Sequence, residues 1–106
     1  MQEKLDEAIG CFRQALRTAP GNATAHANLG RALEEQGALD EAREHYDIAA
    51  RLQPDSAAAH LNLGRALARL GRKTEAIVQL NEALRLEPDN AEAKELLTSA
   101  QRKATE

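Results

Sequence analysis

Three prolines, Pro20, Pro54 and Pro88, stand 34 residues apart, and the chain between them repeats itself. A shift by that period lays His26-Ala27-Asn28-Leu29-Gly30-Arg31-Ala32-Leu33 on His60-Leu61-Asn62-Leu63-Gly64-Arg65-Ala66-Leu67. Between residues 23–56 and 57–90, 17 of 34 positions are identical. The second half of the unit also recurs: Leu5-Asp6-Glu7-Ala8 matches Leu39-Asp40-Glu41-Ala42 and, more loosely, Lys73-Thr74-Glu75-Ala76. A unit of this size cannot bury its apolar face alone. It must stack on its neighbours, which restricts the chain to an array of like units.

Each unit reads as two helices. The first runs from Ala23 to Gln36, with Leu29, Ala32 and Leu33 at helical spacing. Asn22 precedes it as an N-cap type, and Gly37 follows it, where the left-handed C′ conformation costs least. The next unit repeats these signals with Asp55 or Ser56 before and Gly71 after. The second helix is expected to start near Asp40 or Thr74 and to end before Pro54 or Pro88, since proline disfavours helical geometry in the residue before it. Small residues recur where helices must approach closely: Gly30, Gly64, Ala8, Ala15, Ala42, Ala49, Ala76 and Ala83.

Composition agrees with an all-helical chain of 106 residues. It holds 22 Ala and 15 Leu against one Val and three Ile, with 2% aromatic residues, so the strand formers are too scarce for a sheet. A net charge of −3 argues against a nucleic-acid module, which would carry a basic excess. The single cysteine, Cys11, forbids an internal disulfide. No apolar run approaches membrane-spanning length and the start carries no signal-peptide pattern, so a cytoplasmic protein is expected.

The period, with Leu-Gly, Ala, Ala and Pro in register over almost the whole chain, resembles the tetratricopeptide repeat. The family's usual Trp near the start of each unit is His26 and His60 here, and a frequent Tyr of the first helix is Leu33 and Leu67. The aromatic of the second helix survives as Phe12 and Tyr46 and becomes Leu80 in the third unit. These swaps keep bulk in an Ala/Leu core. The resemblance implies a right-handed solenoid of about six antiparallel helices forming one domain over 1–106. In that register, residues 5–19 are a second helix without its first, 23–56 and 57–90 are full repeats, and 91–106 are a terminal helix and tail.

The two ends differ. On the last helix Lys94, Thr98 and Gln101 replace His, Gly and Leu, while Ala93, Leu96, Leu97 and Ala100 remain to face the neighbouring repeat, as a capping helix requires. The opening helix instead carries Ile9, Phe12 and Leu16, expected on the face where a preceding helix would pack. Left bare, they would form an adhesive edge. That edge is accounted for by a longer array, by self-association as a homodimer, or by a rotated helix that tolerates exposure.

The resemblance implies binding of a peptide or protein segment along the concave face lined by first helices, without naming the partner. Here that stripe holds Thr24, Ala27, Asn28, Arg31, Glu34 and Glu35, then Ala58, Leu61, Asn62, Arg65, Ala68 and Arg69, then Glu92, Glu95, Ser99, Arg102 and Lys103. Asn28 and Asn62 are equivalent, so stacking sets them in a ladder suited to pairing with a peptide backbone. The His-x-Asn-Leu-Gly segments are similar to those of O-GlcNAc transferase arrays, which use an asparagine ladder in this way. The competing role is bonding between neighbouring helices. Arg31 and Arg65 form a second ladder, extended by Arg69, and an arginine fork matches a carboxylate. The expected ligand is an extended, acidic or C-terminal segment held by Asn28 and Asn62 and anchored at Arg65 and Arg69. The competing reading is a charged face on which Glu34, Glu35, Glu92 and Glu95 neutralise the arginines.

The family's carboxylate clamp for heat-shock chaperone tails needs Lys and Asn in one helix, Asn in the next, then Lys and Arg. With Asn28 as the central Asn, the third helix offers Ala58 and Asn62, so a co-chaperone of that type is not expected. His26 and His60 are expected as core residues one repeat apart, too far to share one zinc ion, and His45 as a surface residue. Cys11 is expected buried or half-buried. No catalytic constellation, metal site or cofactor motif is present in the sequence. A scaffold is preferred. A self-assembling structural module through the first helix, or the substrate-docking part of a larger enzyme such as a glycosyltransferase, are the alternatives.

Overall fold

The computed structural model describes residues 2–105, with side chains through residue 102. Six helices follow one another: α1 Gln2–Thr18, α2 Ala23–Gln36, α3 Leu39–Leu52, α4 Ala57–Arg69, α5 Lys73–Leu86 and α6 Ala91–Thr105. The described residues contain no strand. Each helix packs on the next, and α2 touches α4 as α4 touches α6, giving an elongated stack of 41 × 27 × 19 Å.

The first helix of each pair starts where the side chains say it should. Asn22 Oδ1 accepts from the Ala25 N–H at 3.0 Å, Ser56 Oγ from Ala59 at 3.1 Å and Asn90 Oδ1 from Ala93 at 2.9 Å. The second helices start differently. α3 and α5 begin at Leu39 and Lys73 behind Ala38 and Arg72, which make no side-chain cap, so Asp40 and Thr74 are first-turn residues and not the caps the sequence suggests. The turn itself supplies the geometry. Gly37 and Gly71 take φ of 89° and 80°, and the next N–H, of Ala38 or Arg72, bonds back to the Leu33 or Leu67 carbonyl at 2.9 Å.

Small residues set the distance within a pair. A Cβ added at Gly30 would lie 2.7 Å from Tyr46 Cε1, and one at Gly64 would lie 2.8 Å from Leu80 Cδ2. Ala42, Ala49, Ala76 and Ala83 are buried at the same contacts. Tyr46, Leu29, Leu33 and Leu80 are the largest side chains fully buried there.

Helix α1 corrects the sequence reading. Ile9 is 7% exposed, and Phe12 and Leu16 are half-buried against the chain's own core, so these three do not form a bare face. They turn toward the neighbouring helices because α1 packs on α2 through its apolar stripe. The uncovered positions are others: Ala15 and Cys11 are exposed and Ala8 is half-buried. Their equivalents Ala42, His45 and Ala49 in α3 lie against the first helix of the same pair, and α1 has no such helix among the described residues.

The histidines are core residues with local partners. His26 and His60 each place Nε2 at 2.8 Å from a proline carbonyl, Pro20 and Pro54. His45 is half-buried and stacked on His26, not on the surface, with ring centroids 5.3 Å apart and the two Nδ1 atoms 3.1 Å apart. A carbonyl only accepts, so His26 donates from Nε2; its Nδ1 is then the acceptor of the His45 Nδ1–H. His60 has Gln79 Oε1 at 2.8 Å in that place.

Candidate peptide-binding groove

Helices α2, α4 and α6 present their polar stripes side by side. Arg65 is the centre of that surface, with its side chain 17% exposed. Its Nε and Nη2 donate to Glu34 on α2 at 3.1 and 3.2 Å, its Nη1 to Glu92 on α6 at 3.1 Å, and its Nη2 also to Asn62 Oδ1 at 3.1 Å. One guanidinium thus fastens three first helices together. Glu34 accepts further bonds from the Tyr46 hydroxyl at 2.7 Å and from Arg69 Nη1. Burial alone would raise the Glu34 carboxyl, but the bonds from Arg65 and Tyr46 and the charges of Arg65 and Arg69 outweigh it and hold it below the ordinary carboxylate value. Burial and the bond to Glu34 both push the Tyr46 phenol upward.

Of the sequence-derived anchors, Arg65 and Arg69 are therefore already engaged by Glu34, and Asn62 by Arg65. Glu34 and Glu92 neutralise the arginines as the competing reading holds, whereas Glu35 and Glu95 form no ion pair among the described residues. Arg31 and Asn28 differ. Neither makes a side-chain hydrogen bond or ion pair among the described residues. The reason is legible in the register: the position of Glu92, ahead of Arg65, is Ala58 ahead of Arg31. Both side chains border an open hollow of about 230 Å³ whose other walls include Leu5, Ala8 and Phe12. The side chain of Lys103 lies outside the described residues. Ser99 and Arg102 border a shallow hollow on α6 with Lys94 and Glu95.

A sequence profile of the tetratricopeptide repeat matches residues 2–57 and 40–91. The chain belongs to the tetratricopeptide repeat family. Its fold is shared by solved members of the family. The first such domain of Spaghetti (RPAP3), bound to an HSP90 peptide SRMEEVD, superposes with a TM-score of 0.93 at 27% identity, covering 99% of this chain and 83% of that one. The second domain of human RPAP3, in complex with an HSP70 peptide SGPTIEEVD, gives 0.87 at 27% identity over 94% and 83% of the two chains. MamA gives 0.93 at 26% identity over 98% of this chain and 61% of that one. No curated protein sequence matches this chain. Among the described residues no helix is long and apolar enough to cross a membrane, and no group of three or more His, Cys, Asp or Glu could hold a metal ion.

Proposed function

We propose that this tetratricopeptide repeat chain is a non-catalytic interaction scaffold that holds an extended, acidic protein segment along its first helices. The observation that carries this reading is the contrast between Arg65, engaged by Glu34, Glu92 and Asn62, and Arg31, which has Ala58 in place of a carboxylate, makes no ion pair among the described residues, and borders with Asn28 a hollow walled by Leu5, Ala8, Phe12 and Glu35. An open guanidinium offers a carboxylate two parallel bonds, and the Asn28 carboxamide can both donate to and accept from a peptide backbone. Neighbours of the same fold were solved with acidic segments of HSP90 and HSP70. This chain departs from the carboxylate clamp at Ala58 and Asn62, so the acidic anchor moves to Arg31. Arg65 and Arg69 serve the groove by holding its helices in register.

The test is an anisotropy titration with labelled SRMEEVD and its amidated, glutamine-substituted counterpart. The acidic form binds more tightly, and Arg31→Ala weakens it about tenfold or more, the size expected of a hydrogen bond to a charged group. Equal binding of the two peptides, or an Arg31→Ala variant that binds as the parent does, would remove the reading.

A further inference from the structure

The second helices form grooves of their own, one between α1 and α3 and one between α3 and α5. In the first, Ile9 packs inward at 7% exposure, and Arg13 reaches across to Glu41 at 2.7 Å. In the second, the equivalent of Ile9 is Arg43, and the residues equivalent to Arg13 and Glu41 are Asp47 and Glu75, two carboxylates that cannot clasp. Each is held locally instead, Asp47 by Arg51 of α3 at 3.2 Å and Glu75 by Arg72, just ahead of α5, at 2.9 Å. The groove stays open. It forms a hollow of about 330 Å³ floored by Leu63 and Leu67 of α4, with Val78, 61% exposed, on its wall.

Arg43 is out of place by every rule the rest of the array obeys. The same register position is Ile9 one repeat earlier and Ile77 one repeat later. Its side chain is 22% exposed and its Nε is buried with no hydrogen-bond partner. Its nearest carboxylate, Glu44, is 3.9 Å from Nη2, too long for a hydrogen bond. A buried donor without an acceptor is costly, so the unmet Nε–H of Arg43, set over Leu63 and Leu67, favours an incoming carboxylate.

We propose that the α3–α5 groove is a second docking site, separate from the first-helix stripe, for a partner segment that places a Glu or Asp side chain on Arg43 and a branched aliphatic residue against Val78. The lining carries three guanidinium groups against two carboxylates, a single net positive charge. That balance suits one flat carboxylate, while a dianionic phosphate would face Asp47 and Glu75 on either side. The site lies between complete helix pairs and is independent of both termini.

The test uses the peptide acetyl-Leu-Glu-Leu-amide and its isostere acetyl-Leu-Gln-Leu-amide against the full chain, read by arginine Nε–H and Val78 methyl NMR signals. The glutamate peptide shifts both signals saturably, and the glutamine peptide binds about tenfold more weakly or less. Arg43→Ile removes the binding and keeps the fold, since Ile occupies this position in both neighbouring units, and Val78→Glu, the residue type at the equivalent Glu44, blocks it with Arg43 intact. Arg31→Ala leaves it unchanged, which separates this site from the first-helix groove. No saturable shift, equal response to both peptides, or binding retained in Arg43→Ile overturns the proposal. So does a solution mass above the monomer that Arg43→Ile abolishes, because the occupant is then a second copy of the chain.

Discussion

The two complete helix pairs, α2/α3 and α4/α5, share their frame and differ in what fills it. His, Leu, Gly, Leu and Ala recur at 26/60, 29/63, 30/64, 33/67 and 42/76. Yet the first pair buries Tyr46 where the second buries Leu80, and carries Glu34 and His45 where the second has Ala68 and Gln79. The difference follows a rule of completeness. Tyr46 is tolerated in the core because Glu34 accepts from its hydroxyl, and Glu34 is tolerated because Arg65 and Arg69 donate to it. Where the ring becomes Leu80, no acceptor is needed and Ala68 suffices. Changing one member of the polar set without the others should therefore cost more than exchanging the matching residue in the apolar pair for its counterpart.

Glu34→Ala, which installs the residue of the second pair, is the most damaging of these exchanges. It leaves the Tyr46 hydroxyl and the Arg65 guanidinium short of an acceptor and should destabilise by about 1–3 kcal/mol in urea unfolding at neutral pH. Because the folded carboxyl of Glu34 is held low, its contribution is present above its ordinary value of 4.5 and is lost as pH falls through the folded value. Parent and variant curves should converge in acid. A constant gap down to the acid transition would show that the carboxylate is not the stabilising species.

Gly30→Ala should come next, at about 1 kcal/mol. The clash with the Tyr46 ring, about 1–3 kcal/mol for overpacking, is partly offset by about 1 kcal/mol of helix propensity. Gly64→Ala should cost less, since the atoms it meets belong to a flexible leucine, whereas the Tyr46 ring is tied at its hydroxyl. Equal shifts in the two unfolding midpoints would deny Tyr46 its rigidity.

The smallest effect is His45→Gln, which copies Gln79. Burial first, and then the charge of His26, hold His45 below its ordinary value of 6.5 against the pull of Glu41. The unfolded chain consequently binds a proton that the folded chain refuses, and stability should decline as pH drops below 6.5. In the glutamine variant that decline should shrink while stability at pH 8 changes little. An unaltered pH profile would mean that His45 is not the group whose protonation drives the decline.

Much of this is legible in the amino-acid sequence. The period placed Pro54 after the second helix and Asn22 and either Asp55 or Ser56 before the first, and Ser56 is the residue that caps, because caps and proline act within a few residues of their own backbone. The stripe of Asn28, Arg31, Asn62, Arg65 and Arg69 was equally legible, since it needs only helical spacing and register. Two local expectations failed, each for its own reason. Asp40 and Thr74 resemble caps, but the glycine turns before them had already settled the backbone. His45 and Cys11 share a register position, yet one is half-buried and the other exposed, because burial depends on whether a first helix lies alongside.

The sequence alone determined the family, the six helices and the stripe of the first helices, because a 34-residue repeat imposes one packing solution on every unit. It did not decide which charges remain available. Arg65 is separated from Glu34 by 31 residues and from Glu92 by 27, and only the stacking of α2, α4 and α6 brings each carboxylate within 3.1 Å of its guanidinium. The same stacking engages Arg65 and Arg69, leaves Arg31 open, and places Arg43 beside an unfilled hollow. Ion pairing depends on distance in space, and a guanidinium once satisfied by a neighbour offers little to a ligand.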